Sequence, residues 1–347
     1  TLVPYIRASG ELKTKPTQHS VNKLREIGIQ PDIIICRTEE PLGKDLREKI
    51  GLFCNVSAES VIEAIDVESI YEVVLKFHND GLDEIVAHLL GAGFHKPDLT
   101  AWSVMIQKLK NPRSEVRVAM CGKYVDLHDA YKSIIESFVH AGIANDVKVR
   151  LEWIDTESLS PATMAEQFGQ CHGILVCPGF GERGIEGKIL AARHARETGL
   201  PYFGICLGMQ VATIEFARNV CGMKGAHSTE FDPKTPHPVI DYLPEQRNIS
   251  NLGGTMRLGA YPCVITPGTK AHQAYRCEQI SERHRHRYEV NNEFLAKLEE
   301  KGLVFCGKSP DGRLVEMVEL RDHPWYLGCQ FHPEIKSRPI NPKSRIR

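Results

Sequence analysis

Apolar and polar positions along residues 1–95 follow two different periods. Short apolar runs at 2–6, 32–37 and 52–56 read as strands, while spacing near 3.6 at 17–27, 43–49, 70–79 and 82–90 reads as helices. Strands separated by helical patterns predict a parallel sheet joined by crossovers. Residues 96–114 interrupt this with Pro97 and Pro112 around one short helix at 102–109, and read as a linker. A second alternating segment fills 115–347. It opens with a strand at 116–122, a helix at 130–141, a strand at 147–154, a helix at 162–168, a strand at 173–177 and a helix at 186–196. An apolar run at 200–205 then leads into Gly204-x-Cys206-x-Gly208, and helical spacing follows from 209 to 218.

That junction organises the chain. Strand, tight turn and helix make a nucleophile elbow with a thiol at its corner, and the flanking glycines leave room for the backbone. A helix N-terminus favours thiolate, which is the nucleophilic form. The pentapeptide alone fits a buried structural cysteine equally well. A base is available in Gly328-Cys329-Gln330-Phe331-His332-Pro333-Glu334. Residues 325–331 read as a strand, and two-residue spacing would put Glu334 beside His332 to orient the imidazole. Nucleophile, base and acid then occur in the chain order Cys206, His332, Glu334.

Composition narrows the partners. The chain has 347 residues, with 43 Lys plus Arg against 44 acids, and its net charge of −1 gives no reason to expect nucleic-acid binding or an acidic membrane surface. No apolar run approaches the roughly 18 residues of a membrane-spanning helix. Eleven cysteines without a Cys-x-x-Cys pair suit free thiols in a reducing cytoplasm, and no metal ligand set is assigned. Residues 1–6 already read as a core strand without an initiator Met, and 341–347 form a polar tail. The expectation is a fragment lacking its N-terminal portion.

Three further stretches carry polar chemistry. Residues 10–18 place two lysines, two threonines and a glutamine at a loop-to-helix junction, either to cradle phosphates or as an ordinary solvated helix start capped by Thr17. The loop at 178–188 contains Gly179-x-Gly181-x-x-Gly184 and Gly187-Lys188, both imitations of nucleotide-binding signatures. The next strand has no acid for a ribose, and Ile189 stands where a phosphate loop needs Ser or Thr. A local role suits this loop better: with the amide of Leu207, the Gly179 amide would face an oxyanion beside Cys206. The run Glu282-Arg283-His284-Arg285-His286-Arg287-Tyr288-Glu289 reads as a charged loop gripping a carboxylate or another domain, or as a solvated face.

The chain resembles CTP synthases over essentially its whole length. The resemblance rests on residues 10–20 (GELKTKPTQHS), 28–32 (GIQPD), 52–56 (LFCNV), 122–124 with 129–133 (DAYKS), 180–187, 204–210, 228–231, 253–259, 282–292 and 330–334. It implies the C-terminal part of a P-loop-type parallel-sheet synthetase domain, followed by a class I glutamine amidotransferase domain of flavodoxin-like α/β fold. It implies glutamine hydrolysis by Cys206, His332 and Glu334, then ATP-dependent amination of UTP to CTP. Gln210, Glu230 and Arg287 match glutamine-binding positions. Lys13, Lys15, Gln18 and Lys49 match UTP- or CTP-binding positions, and Arg37, Asp66 and Val67 lie where the family contacts ATP. Also implied are Mg²⁺ with ATP, GTP as activator, a homotetramer and a cytoplasmic location.

Three departures stand out. The family's phosphate loop and metal carboxylates are expected upstream of Thr1, so the chain is expected to lack them. Pro178 replaces a glycine whose N–H serves near the oxyanion, and proline has none. Ile65 stands where a lysine is common beside the ATP site. The alternative to an active enzyme is a nucleotide-binding and assembly module with a defective oxyanion loop.

Overall fold

The computed structural model describes residues 1–123, 125–242 and 256–340. Tyr124 of the motif at 122–124, residues 253–255 of the glycine-rich motif at 253–259 and the tail 341–347 lie outside the described residues. The chain divides into two compact units, Thr1–Gln107 and Lys108–Arg347.

In the first unit, strands Ile34–Thr38 and Val61–Ile65 pair in parallel. Alternate residues of the first strand face a core of Val3, Val21, Ile34, Cys36, Leu42, Ile50, Cys54 and Val61. The strand expected at 52–56 is instead the end of helix Lys44–Cys54. Ile50 and Cys54, four apart, are buried while Leu52 and Phe53 face out, which is helical rather than strand periodicity. Asn55, in the left-handed region at φ 55°, closes that helix. The true second strand, 61–65, escaped notice because Glu63 interrupts its apolar run; Glu63 is buried and paired with Lys76 at 2.8 Å. The strand expected at 2–6 is reduced to Tyr5–Ile6 and a parallel bridge from Leu2 to Arg37, with Pro4, which lacks an N–H, between them. Thr17 is not a helix cap. The helix spans Lys15–Glu26 with Pro16 in its first turn, and Thr17 is buried, donating its hydroxyl to the Leu2 carbonyl at 3.0 Å.

Among the described residues, the second unit is built on a nine-stranded sheet. The spatial order of its strands is Gln279–His286, Arg257–Ile265, Leu303–Lys308, Val315–Leu320, Tyr326–Cys329, Tyr202–Ile205, Gly173–Val176, Ser114–Gly122 and Val147–Asp155. The last five in this order are mutually parallel, and the first four extend the sheet in antiparallel fashion. Counted along the chain, the parallel strands run 2-1-3-4-5, the doubly wound flavodoxin-like order, whose ligands bind at the carboxyl ends of strands. Strand Tyr202–Ile205 is central and fully flanked, so its carboxyl end is a fixed platform. A small sheet of His227–Ser228, Pro238–Asp241 and Glu289–Val290 stands apart from the large one. No helix among the described residues is long and apolar enough to cross a membrane.

Candidate active site

Cys206 sits where Tyr202–Ile205 turns into helix Leu207–Asn219, and it is 3% exposed. Its backbone, φ 54° and ψ −103°, is one that L side chains rarely adopt. The turn closes because nothing projects from its flanks. A Cβ on Gly204 would lie 2.5 Å from the Gly208 carbonyl carbon, and one on Gly208 would lie 2.5 Å from the Val176 oxygen. The Cys206 amide donates to the Cys329 carbonyl at 2.7 Å, tying the elbow to the strand that leads to His332.

His332 and Glu334 do pair, though not as strand neighbours. The strand ends at Cys329, and Pro333–Lys336 forms a short 3₁₀ turn that brings the Glu334 Oε1 to 2.7 Å from His332 Nδ1. The His332 amide is held by the Arg283 carbonyl at 2.8 Å, and Ser137 donates to the Glu334 carbonyl at 3.3 Å. With Nδ1 engaged, Nε2 makes no hydrogen bond of ordinary length among the described residues. Burial alone would lower the pKa of His332; the Cys206 sulfur and the Glu334 carboxylate outweigh it and raise it to about 10. The imidazole is therefore held as imidazolium at neutral pH.

The run at 282–289 is not a loop. Residues Gln279–His286 form an edge strand with Glu282, His284 and His286 pointing inward and Arg283 and Arg285 outward. Just beyond it, the Tyr288 carbonyl accepts from Gln210 Nε2 at 3.0 Å. Gln210 also donates to Gln330 Oε1 at 3.2 Å, and Gln330 Nε2 lies 3.6 Å from the Cys206 sulfur. Gln330, fully buried, is the site residue that sequence reasoning left without a role; its signal was a polar residue inside the apolar run Cys329 to Phe331. Glu230 receives the Gly181 amide at 3.3 Å. Burial raises its pKa, against that amide and the nearby Arg287 and Lys123 charges, so Glu230 and Arg287 share one locality.

The loop at 178–184 packs beside the elbow: a Cβ on Gly179 would be 3.8 Å from Leu207 Cδ2 and 3.6 Å from Lys188 Nζ. As the first residue of its helix, Leu207 has an amide free of intrahelical bonds. Lys188 is no phosphate-loop lysine. It is buried and donates to the Cys177 carbonyl at 3.0 Å, and burial pushes its pKa down to about 8.

In the first unit, Lys13 pairs with Glu11, whose pKa falls through Lys13 first and, more weakly, Lys49. Lys15 and Lys49 are exposed. Gln18 donates to Thr14 at 3.2 Å. Arg37 and Asp66 form an ion pair of 2.6 Å, with Val67 next in sequence. Among the described residues no cluster of three or more His, Cys, Asp or Glu side chains could hold a metal ion.

Comparison with known proteins agrees with this division. The family described as "Glutamine amidotransferase class-I" matches residues 126–344, and "CTP synthase N-terminus" matches residues 1–92. The latter match places the N-terminal family domain on this chain, so the expectation of a chain defined by a missing phosphate loop is not borne out. The CTP synthase of Caldanaerobacter subterraneus subsp. tengcongensis is 57% identical over 347 residues, covering 100% of this chain and 65% of the relative. That of Bacillus subtilis is 52% identical over 343 residues, covering 99% and 64%. The chain thus spans just under two thirds of the length of these curated relatives. The solved glutaminase domain of Trypanosoma brucei CTPS with bound acivicin superposes with a TM-score of 0.62 at 38% identity, covering 66% of this chain and 89% of that one.

Proposed function

The chain belongs to the CTP synthase family of class I glutamine amidotransferases, and from that premise we propose that its second unit hydrolyses L-glutamine to supply ammonia for converting UTP to CTP. The observation that carries this reading is the strained, buried Cys206 together with a His332 whose Nδ1 is held 2.7 Å from the Glu334 carboxylate and whose pKa is raised by the Cys206 sulfur and by Glu334. The Cys206 thiolate attacks the side-chain amide carbon of glutamine. The oxyanion that develops is stabilised by the amides of Leu207 and Gly179. His332 gives its proton to the departing nitrogen, the C–N bond breaks, and a γ-glutamyl thioester remains. Water then attacks the thioester, His332 takes its proton, and glutamate leaves as the thiolate is restored. Gln210, Glu230 and Arg287 hold the substrate's polar ends. Acivicin bound to the related glutaminase domain supports a glutamine-shaped site here.

In the same reading, residues 1–95 are the synthetase part and 115–347 the amidotransferase domain. Lys13, Lys15, Gln18 and Lys49 contact the UTP or CTP triphosphate and pyrimidine, and Arg37, Asp66 and Val67 lie at ATP. ATP phosphorylates the UTP 4-oxygen and ammonia displaces the phosphate. Mg²⁺ accompanies ATP, GTP activates, the assembly is a homotetramer, and the location is cytoplasmic. Pro178 favours a second reading, in which the pocket binds glutamine but turns it over poorly because one oxyanion donor is missing. Glutamate release measured on the chain and on Cys206→Ala tests the proposal: activity abolished by the substitution supports it, and release that survives the substitution refutes it.

A further inference from the structure

Arg257, His284, His286, Glu289 and Glu316 are buried ionisable side chains outside the triad that lie together. Arg257 donates to Glu289 at 3.0 Å and to Glu316 at 2.8 Å. His284 Nδ1 is 2.9 Å from His286 Nε2, and His286 Nδ1 is 3.2 Å from the Tyr288 carbonyl. That carbonyl is also the acceptor for Gln210.

The proton positions follow from which groups can donate. A carbonyl only accepts, so His286 Nδ1 carries hydrogen. A neutral imidazole has one N–H, so His286 Nε2 is an acceptor and His284 Nδ1 is its donor. His284 Nε2 is then bare. It faces Glu316 Oε2 at 3.6 Å, and neither atom has a hydrogen-bond partner among the described residues. Two buried lone pairs face each other unfavourably unless one side carries a proton, and Glu316 is the side able to hold it.

We propose that His284 and His286 form a proton-ordered pair running from the Glu316 carboxyl to the Tyr288 carbonyl, and that His286 is a positioning residue for glutamine, fixing the carbonyl on which Gln210 docks. Burial supports the assignment. It drives the pKa of His284 down to about 3 and that of His286 well below the usual range, with Arg257 adding to both and His332 also pressing on them. Burial likewise raises Glu316, against Arg257, and lifts Glu289 to about 8. The proposal rests on the glutamine-binding role of Gln210 proposed above.

Two measurements test it. In the wild-type chain labelled with ¹⁵N-histidine, long-range ¹H–¹⁵N correlation should show His284 and His286 as neutral Nδ1–H tautomers, assigned by their loss in His284→Asn and His286→Asn. An Nε2–H or imidazolium pattern at His286 overturns the proposal whatever the variants do. In inactivation by acivicin, His286→Leu should raise the half-saturating concentration about 5- to 10-fold, the effect of losing one fixed hydrogen bond, with the limiting rate unchanged. His286→Asn, whose amide nitrogen falls where Nδ1 lies, should restore it; His286→Gln should not. Equal behaviour of the Leu and Asn variants, or a loss confined to the limiting rate, overturns the positioning role. Wild-type chain that acivicin leaves unlabelled at Cys206 instead overturns the glutamine reading beneath it, while the tautomer spectrum still decides the histidine pair.

Discussion

The nucleophile elbow makes a prediction about stability that runs against the ordinary effect of glycine. Cys206→Ala removes the thiol and keeps the unfavourable backbone at φ 54° and ψ −103°; Cys206→Gly removes both. Residue 206 is 3% exposed, so both variants lose the same buried sulfur and differ in backbone strain, chain entropy and one buried methyl, whose loss costs about 0.8 kcal/mol. Strain of this kind costs about 1–3 kcal/mol, while glycine pays about 0.5–1 kcal/mol more chain entropy than alanine. With strain at the upper end, about 3 kcal/mol, the glycine variant is the more stable by about 1–2 kcal/mol, or about 2–8 °C in the melting temperature of a unit this size. Scanning calorimetry of the two variants side by side gives the answer. A glycine variant melting at or below the alanine variant would refute strain of that size at the elbow.

Gly204→Ala should disturb the same corner from the strand side, because its new Cβ meets Gly208 backbone at 2.5 and 2.6 Å. A loss of about 1–3 kcal/mol in denaturant unfolding and slower labelling of Cys206 are expected; unchanged values of both would contradict the close approach. Pro178→Gly should raise the glutaminase kcat, by up to about 10²-fold if a donor is truly missing, and leave KM nearly unchanged. Equal rates would show that the Gly179 amide already suffices. His332, raised from 6.5 to about 10, binds its proton more tightly folded than unfolded. Its stabilising contribution is then full below pH 6.5, falls as pH rises, and is gone above about 10. The unfolding-midpoint gap between wild type and His332→Gln should narrow over that window, and a gap independent of pH would exclude the raised pKa.

What the sequence revealed depended on whether local pattern and tertiary environment agreed. Residues 200–210 were legible because an apolar strand, a glycine-flanked corner and a helix each have strong local signatures. His332 and Glu334 were legible as a pair, but a strand was the wrong device, since the proline at 333 begins a 3₁₀ turn that local spacing cannot distinguish. Residues 52–56 misled because Leu52 and Phe53 are large and apolar yet exposed, giving a short run the look of a strand. Residues 61–65 were hidden by Glu63, whose buried charge is explained by Lys76, Arg47 and the Leu42 amide, brought in by other parts of the chain. The histidines of 282–289 looked like surface charge because their burial depends on Arg257 and Glu316, brought in by other strands. Gln330 acquires meaning only through Gln210 and Cys206, each more than a hundred residues away.

The central claim is that Cys206 attacks glutamine. The direct measurement is to mix the chain with L-glutamine, quench in acid within a turnover, and map peptides by mass spectrometry. The account predicts a γ-glutamyl thioester on the Cys206 peptide, formed with an equivalent of ammonia and absent from Cys206→Ala. An adduct on Cys177 or Cys171 instead, or ammonia released at the wild-type rate by Cys206→Ala, would contradict it.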